Sequence, residues 1–235
     1  MKKLFVICLA VSAIFSCKRV ETGFSQEERR LINSADSIMR VLTIEDSLDL
    51  AVLRAVSRDF SADALMSEEF ARLSELMVAT VTHPSQDGVG IAGPQVGLNR
   101  RVVAVQRFDK EPVMNASGKM DHPFEVYPNI RIICLSDSTA YGAEGCLSVP
   151  DMRADVLRST EVVMEYADLQ QLKENRLRHL AHANSNNSLK NSALSNPSPA
   201  GGDIPMKRDT VSGFTAVIFQ HEIDHLEGIL YIDRL

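Results

Sequence analysis

The sequence contains an H-E-x-x-H motif at residues 221–225, a pattern of metal-dependent hydrolases. Two histidines four residues apart lie on one face of an α-helix, where both imidazoles can bind the same ion. Glu222 then lies beside that ion, in position to act on a water molecule. The surrounding residues, from about Ser212 to Glu227, are largely apolar and predict such a helix.

A catalytic metal site needs a third protein ligand, and the familiar downstream positions do not supply one. A histidine six residues after His225 would fall at position 231, which is Tyr231. A glutamate on a later helix has no sequence to occupy, and Glu227 points off the ligand face. The third ligand is therefore expected upstream of the motif.

The upstream candidates are His83, His122, Cys134, Cys146, His179 and His182. The histidines lack a partner at ligand spacing or adjoin flexible sequence. Cys134 lies in an apolar run, which favours the role of a small core residue. Cys146 follows Gly145, whose backbone freedom permits a close approach to a metal. A thiolate with two imidazoles leaves a fourth position open for water. Two alternatives remain for Cys146: a buried free thiol, and a disulfide with Cys134.

The pattern of apolar residues predicts an α+β fold. Residues 38–82 are mainly helical in pattern, with a helix start at Ser67. From Gly88 onward the sequence changes to short runs rich in Val, Ile, Tyr and Phe, which predict strands. A leading helix, a strand-rich middle and a final helix indicate α+β rather than alternating βαβ units.

The first residues predict export. Two lysines, the apolar residues 4–15 and a small-residue end are typical of a signal sequence over residues 1–17, and the apolar stretch is short for a membrane span. Cys17 resembles the lipid-modified cysteine of a bacterial lipobox, although Phe15 is bulky for that motif. Residues 18–37 are polar and predict a tether. Ordinary secretion, an uncleaved anchor and a cytoplasmic protein with an apolar start remain alternatives.

A catalytic domain is expected over residues 38–235, with an insertion at about 169–210. Within it, residues 185–203 have 13 of 19 positions as Ser, Asn, Pro or Gly. Such a segment cannot bury enough apolar surface to offset the entropy of ordering it. Leucines at helical spacing just before this segment predict a short helix followed by a flexible loop.

The charge balance argues against one class of partner. The formal net charge is -6, and the sequence contains no run of basic residues. Binding of nucleic acid or anionic lipid through charge requires a basic patch. Nucleic acid is therefore not an expected partner, and membrane association is expected through a lipid at Cys17. The sequence does not indicate an oligomeric state.

Three stretches resemble the motifs of the peptide deformylase family: GVGIAGPQVG (88–97), EGCLS (144–148) and QHEIDHLEG (220–228). Their order and spacing agree with that family outside the insertion, and Gly93 stands where the family more often has alanine. The resemblance covers residues 38–168 and 211–235. It implies antiparallel strands packed around a C-terminal helix that carries the H-E-x-x-H motif.

The resemblance also implies a metal centre and a reaction. Cys146, His221 and His225 would bind one divalent ion, Fe(II) or Zn(II), because this ligand set suits both. The family usually uses Fe(II), and Zn(II) becomes a stronger candidate if the protein lies outside the cytosol. Glu222 would act as general base and acid in the hydrolysis of the formamide at a peptide N-terminus, with the metal activating the attacking water.

Further roles follow from the same resemblance. Gln95 and the backbone N–H of Leu147 would stabilise the oxyanion. The expected substrate is an N-formylmethionyl peptide, whose thioether would fill an apolar pocket beside the metal. The implied substrate contacts are Val89, Gly90, Ile91 and Arg153.

Three functional hypotheses remain open. The first is an active deformylase exported from the cytoplasm, which is unexpected because formylated chains arise at ribosomes. The second is a metallopeptidase or amidase on the same scaffold. The third is a non-catalytic binding protein that retains the fold. The combination of Gln95, Cys146, Glu222 and the two histidines favours catalysis, because a binding protein does not need all of them.

Overall fold

The computed structural model describes residues 23–114, 118–187 and 203–235, with the backbone alone for 182–187. The helices are α1 (Gln26–Ser34), α2 (Ser47–Leu53), α3 (Ala62–Leu65), α4 (Glu68–Val81), α5 (Leu169–Asn187) and α6 (Gly213–Leu226). The strands are β1 (Gly90–Ala92), β2 (Val102–Gln106), β3 (Val113–Met114), β4 (Met120–Asp121), β5 (Phe124–Pro128), β6 (Arg131–Leu135), β7 (Thr139–Cys146), β8 (Val149–Ser159), β9 (Glu161–Ala167) and β10 (Met206–Ser212). Two 3-10 turns span Gly93–Val96 and Tyr231–Arg234.

Short polar side chains start the helices that precede the strands. Ser25, Asp46, Ser61 and Ser67 each accept a hydrogen bond from a backbone N–H of the following first turn, which satisfies donors that a helix leaves free. The predicted helix start at Ser67 is confirmed. Helix α4 buries Phe70, Leu73, Leu76, Met77 and Val81, at the spacing of one helical face.

The strands form antiparallel sheets around α6. The strand orders are β1-β2-β5, β10-β9-β6, β7-β8 and β3-β4, and every ladder is antiparallel. One apolar cluster lies between the N-terminal helices and the β1-β2-β5 sheet, and a second joins that sheet, the β9 sheet and α6. The predicted α+β class is confirmed, and α6 matches the helix expected over 212–227.

The prediction of a tether over residues 18–37 is wrong for the described part of that range. Phe24 and Ile32 are buried in the first apolar cluster, and α1 between them carries a Ser25–Glu28 capping box. The predicted signal sequence, with Cys17, lies outside the described residues. Within the described ranges, no helix combines the length and apolarity needed to cross a membrane.

Both ends of the range predicted as an insertion, residues 169–210, make contacts with the domain. Leu172 is buried in the first apolar cluster, so the first turn of α5 belongs to the domain. Residues 206–210 pair with β9, starting with Met206 opposite Ala167. The sequence of β10 is too polar to read as a strand by itself, because one of its faces lies in solvent.

The expectation that Cys134 is a core residue is also wrong. Strand β6 lies at the edge of its sheet, and its register with β9 shifts between Ile132 and Cys134. This bulge interrupts the alternation of side chains, so Cys134 is exposed. Cys134 and Cys146 are both free thiols, which excludes the disulfide alternative for Cys146.

Candidate active site

Helix α6 and the end of β7 bring together three side chains that could hold a metal. His221 and His225 lie on one face of α6, with ring centroids 5.1 Å apart. The β7–β8 register shifts where the hairpin turns, between Gly145 and Cys146, and Cys146 pairs with Val149. The Cys146 Sγ lies 3.3 Å from Nε2 of His225. The three ligand atoms lie within 4.8 Å of one another.

The chemistry of these donors fits one divalent ion. Nδ1–H of His221 donates to Oε2 of Glu144 at 2.7 Å. That bond leaves Nε2 of His221 as the ligand atom, the arrangement typical of metal-binding histidines. One soft sulfur and two imidazole nitrogens suit zinc or Fe(II). The site therefore has the ligands and the outer hydrogen bond that a catalytic metal requires.

Glu144 belongs to a buried network of charges behind His221. Arg158 donates to both oxygens of Glu144, at 2.7 and 3.0 Å, and to Oδ2 of Asp224 at 2.6 Å. Burial raises the pKa of Glu144, but the hydrogen bonds from Arg158 and His221 have the larger combined effect and bring the pKa down to about 2. Glu144 is thus ionised near neutral pH and holds the proton of His221 on Nδ1. No role for Glu144 or Arg158 is predicted from the sequence, although Glu144 stands in the EGCLS stretch.

Glu222 lies buried on the adjoining side of α6. Its Oε2 has no hydrogen-bond partner among the described residues. Burial raises the pKa of Glu222 to about 7, which suits a group that takes and returns a proton near neutral pH. Gly90 lies directly against this carboxylate, and a Cβ at position 90 would overlap it. Gly90 is therefore required by close packing against the acid–base candidate.

Gln95 points its amide group at the sulfur of Cys146. The 3-10 turn Gly93–Val96 carries Gln95, and its Oε1 accepts a hydrogen bond from the backbone N–H of Ala92 at 2.8 Å. This bond fixes the amide orientation, so Nε2 points to Cys146 Sγ at 3.5 Å and Ser148 Oγ at 3.3 Å. The structure thus brings a fixed N–H donor to the edge of the ligand group.

An open cavity of about 760 Å³ leads to these groups. This volume is within the range of small-molecule and peptide sites. The predicted substrate contacts Val89, Gly90 and Arg153 line it, and so does Leu147, the predicted oxyanion donor. Ile91 does not, and its predicted role as a substrate contact is wrong. Alternation along β1 turns Ile91 away from the cavity into the first apolar cluster, where it is 0% exposed.

Other positions left open by the sequence are also accounted for. Glu227, which follows the motif, is not part of the metal-ligand group and instead forms an ion pair with Arg101 at 2.7 Å. His83 is exposed, and His122 packs on Phe108. The side chain of His182 lies outside the described part of α5.

The parts of the chain on both sides of residues 183–204 match one known family. The family model described as polypeptide deformylase matches residues 38–182 and 205–235. The chain belongs to the polypeptide deformylase family. The protein is accordingly a metal-dependent hydrolase that deformylates N-formyl peptides.

Individual deformylases show the extent of the similarity. A peptide deformylase of Leptospira biflexa is 31% identical over 184 residues, which are 78% of this chain and 82% of that protein. Peptide deformylase 2 of Vibrio cholerae is 31% identical over 199 residues, covering 85% and 87%. The crystal structure of a class I type b peptide deformylase from Acinetobacter baumannii with Met-Ala-Ser bound matches at 28% identity and TM-score 0.59, covering 84% of this chain and 98% of that one.

Proposed function

We propose that this deformylase holds its metal on Cys146, His221 and His225 and uses Glu222 as the acid–base residue. The observation that carries the assignment is the meeting of a β7 thiol group and two α6 imidazoles within 4.8 Å, beside a buried carboxylate oxygen that has no partner among the described residues. The ligand set accepts Fe(II) or Zn(II). The bound ion would supply Lewis acidity, which activates a water and polarises the formyl carbonyl.

The residues of the chain then divide the proton and charge transfers between them. Glu222 takes the proton of the attacking water on its carboxylate and returns it to the leaving amine nitrogen, so that formate and a free N-terminus result. Negative charge develops on the formyl oxygen as the water attacks. Nε2 of Gln95 and the N–H of Leu147 donate to that oxygen, and Glu144 keeps His221 in the required tautomer.

The proposed substrate is an N-formylmethionyl peptide. Strand β1 is the outer strand of the β1-β2-β5 sheet, and its residue Gly90 lines the cavity. An extended peptide can therefore lie along β1 through backbone hydrogen bonds. Val217 and Phe214 of α6 offer apolar walls for a thioether side chain, and Arg153 lies where the peptide continues. The Met-Ala-Ser bound to the Acinetobacter baumannii relative supports a peptide of this kind.

The proposed location is outside the cytoplasm, with a lipid on Cys17. The support is the signal-type sequence of residues 1–17 and the lipobox-like position of Cys17. Globomycin-sensitive lipid labelling of the full chain, with Cys17→Ala as control, tests it. Labelling that depends on Cys17 is expected. Wild-type protein that takes no label would leave simple secretion or cytoplasmic retention.

Formate release tests the catalytic assignment. Residues 23–235 are purified without oxygen, loaded with either Fe(II) or Zn(II), and given formyl-Met-Ala-Ser. We expect turnover that needs a metal and is lost in His225→Ala and in Glu222→Gln, while Glu222→Gln still binds one ion. Near-normal turnover by Glu222→Gln would remove the acid–base assignment.

A further inference from the structure

The 3-10 turn Tyr231–Arg234 does not line the cavity, but its first residue contacts the metal-ligand group. The ring of Tyr231 stacks on the imidazole of His221, with centroids 5.9 Å apart and planes inclined by 24°. Tyr231 is 1% exposed, and its hydroxyl donates to the backbone oxygen of Met152 at 2.9 Å. The same apolar cluster that contains Tyr231 also packs against Cys146. The turn therefore contacts His221 directly and belongs to the apolar cluster that supports Cys146.

Arg234 reaches the same histidine through the buried charges. Its Nε donates to Oδ2 of Asp224 at 2.5 Å, and its Nη2 donates to Oδ1 of Asp224. Asp224 accepts in turn from Arg158, which holds Glu144, the partner of His221 Nδ1. The four charges form a balanced set of two cations and two anions, and without Arg234 two buried carboxylates would share one guanidinium.

A separate ion pair holds the turn in place. Arg54, at the end of α2, donates to the backbone oxygen of Gly228 at 3.2 Å and to Asp233 at 3.0 Å. Asp233 also accepts the backbone N–H of Leu230 at 2.8 Å. Gly228 has φ +71° and lies so close to the Arg54 backbone that a Cβ would overlap it. The turn is thus docked independently of the metal ligands that it contacts.

We propose that Tyr231 and Arg234 are positioning residues for the metal ligand His221. Tyr231 fixes the plane of the imidazole, and Arg234 fixes the Asp224–Arg158–Glu144 chain that keeps the proton on Nδ1. This inference rests on the proposed metal centre. Loss of either residue is expected to weaken metal binding about tenfold or more, the effect typical of outer partners of metal-bound histidines.

Metal affinity and ligand geometry test the proposal without reference to turnover. Zn(II) dissociation constants come from chelator competition, and the absorption bands of the Co(II) form report the ligand geometry. The variants are Arg234→Gln and Tyr231→Leu, with Arg234→Lys and Tyr231→Phe as conservative counterparts. Arg208→Gln is the matched control, because Arg208 pairs with Glu165 at the surface. Thermal unfolding of each metal-free variant shows that it is folded.

The expected result is a dissociation constant raised about tenfold and altered Co(II) bands in Arg234→Gln and Tyr231→Leu. Tyr231→Phe keeps the ring and should restore both, Arg234→Lys should restore part, and Arg208→Gln should match wild type. Variants that unfold at lower temperature but keep the wild-type affinity and bands would overturn the proposal. If Arg234→Gln does not fold, Arg234→Met takes its place, and wild-type affinity and bands in Arg234→Met would overturn the role of Arg234. Wild-type protein that binds no ion would instead contradict the metal centre itself.

Discussion

The Sγ of Cys146 lies 3.3 Å from Nε2 of His225, although 79 residues separate them in the chain. The β7–β8 hairpin places the thiol above α6, and its turn is fixed on the other side by a hydrogen bond from Ile44 N–H to Ser148 O at 2.9 Å. The turn that carries this ligand is held by distant segments, because Ser148 and Val149 beside Cys146 are buried against them. The geometry of the site therefore depends on the whole fold and not on the helical motif alone.

Glu222 should make the metal-free protein less stable above neutral pH. Burial raises its pKa to about 7 from an ordinary value of 4.5. The folded state thus holds its proton more tightly than the unfolded state, and stability falls as the pH rises from about 4.5 to about 7. Metal-free Glu222→Gln should gain up to about 3 kcal/mol over wild type at pH 8. Denaturant unfolding of both proteins at pH 5 and pH 8 measures this difference, and equal differences at the two pH values would contradict it.

Gly90→Ala should reduce turnover by about a hundredfold. The added methyl overlaps the Glu222 carboxylate, and a displacement of about 1 Å in a catalytic group has an effect of that size. Gly142→Ala is the matched control on β7, because a Cβ there meets nothing within 4 Å. Steady-state deformylation by both variants, with metal content measured, checks the prediction. Full activity in Gly90→Ala would show that Glu222 tolerates the shift.

Gln95→Leu should lower kcat more than it raises KM. A donor that acts on developing charge contributes mainly to the transition state, and its loss costs about 10²–10³ in kcat. Metal content should stay at one ion, because Gln95 is not among the proposed ligands. Separate determination of kcat and KM with formyl-Met-Ala-Ser decides the matter. A raised KM with unchanged kcat would assign Gln95 to substrate binding instead.

The ionised carboxylate of Glu28 should stabilise the docking of α1 when the pH is above 4.5, the ordinary pKa of a glutamate. Burial raises the pKa of Glu28. Arg100 donates to its carboxylate at 2.6 and 2.8 Å, and the N–H of Ser25 also donates to it. These hydrogen bonds have the larger combined effect, so the pKa lies below the ordinary 4.5. The contribution is therefore present above about pH 4.5 and is lost as the pH falls through the lowered pKa. Glu28→Gln should cost about 1.5–3 kcal/mol at pH 7 and far less in acid. Urea unfolding at pH 7 and pH 3 measures it, with the exposed Glu27→Gln as control. A loss that does not change with pH would contradict the ion pair.

Local patterns were enough to predict helix α6, which carries the two histidines and Glu222, and the start of α4. The spacing of His221 and His225 predicts α6, and Ser67 predicts the start of α4, because both signals lie within one or two helical turns. Strand alternation could also have revealed Glu144, which lies two residues before Cys146 and on the same face of β7. Alternation likewise separates Gly90, which lines the cavity, from Ile91, which packs into the first apolar cluster.

Long-range contacts account for what the sequence did not predict. Residues around α1 read as a tether because they are polar, yet Phe24 and Ile32 are buried and Arg100, 72 residues further on, binds Glu28. Strand β10 is polar in sequence and becomes a strand by pairing with β9. Pairings of this kind depend on segments that are distant in the chain, and single-sequence patterns do not contain them.

X-ray absorption at the zinc edge tests the proposed metal centre most directly. Zn(II)-loaded residues 23–235 should show one sulfur at about 2.3 Å and two imidazole nitrogens at about 2.0–2.1 Å. Cys146→Ser should lose the sulfur shell and keep both imidazoles. A wild-type spectrum without sulfur, or a sulfur shell that persists in Cys146→Ser, would contradict the account.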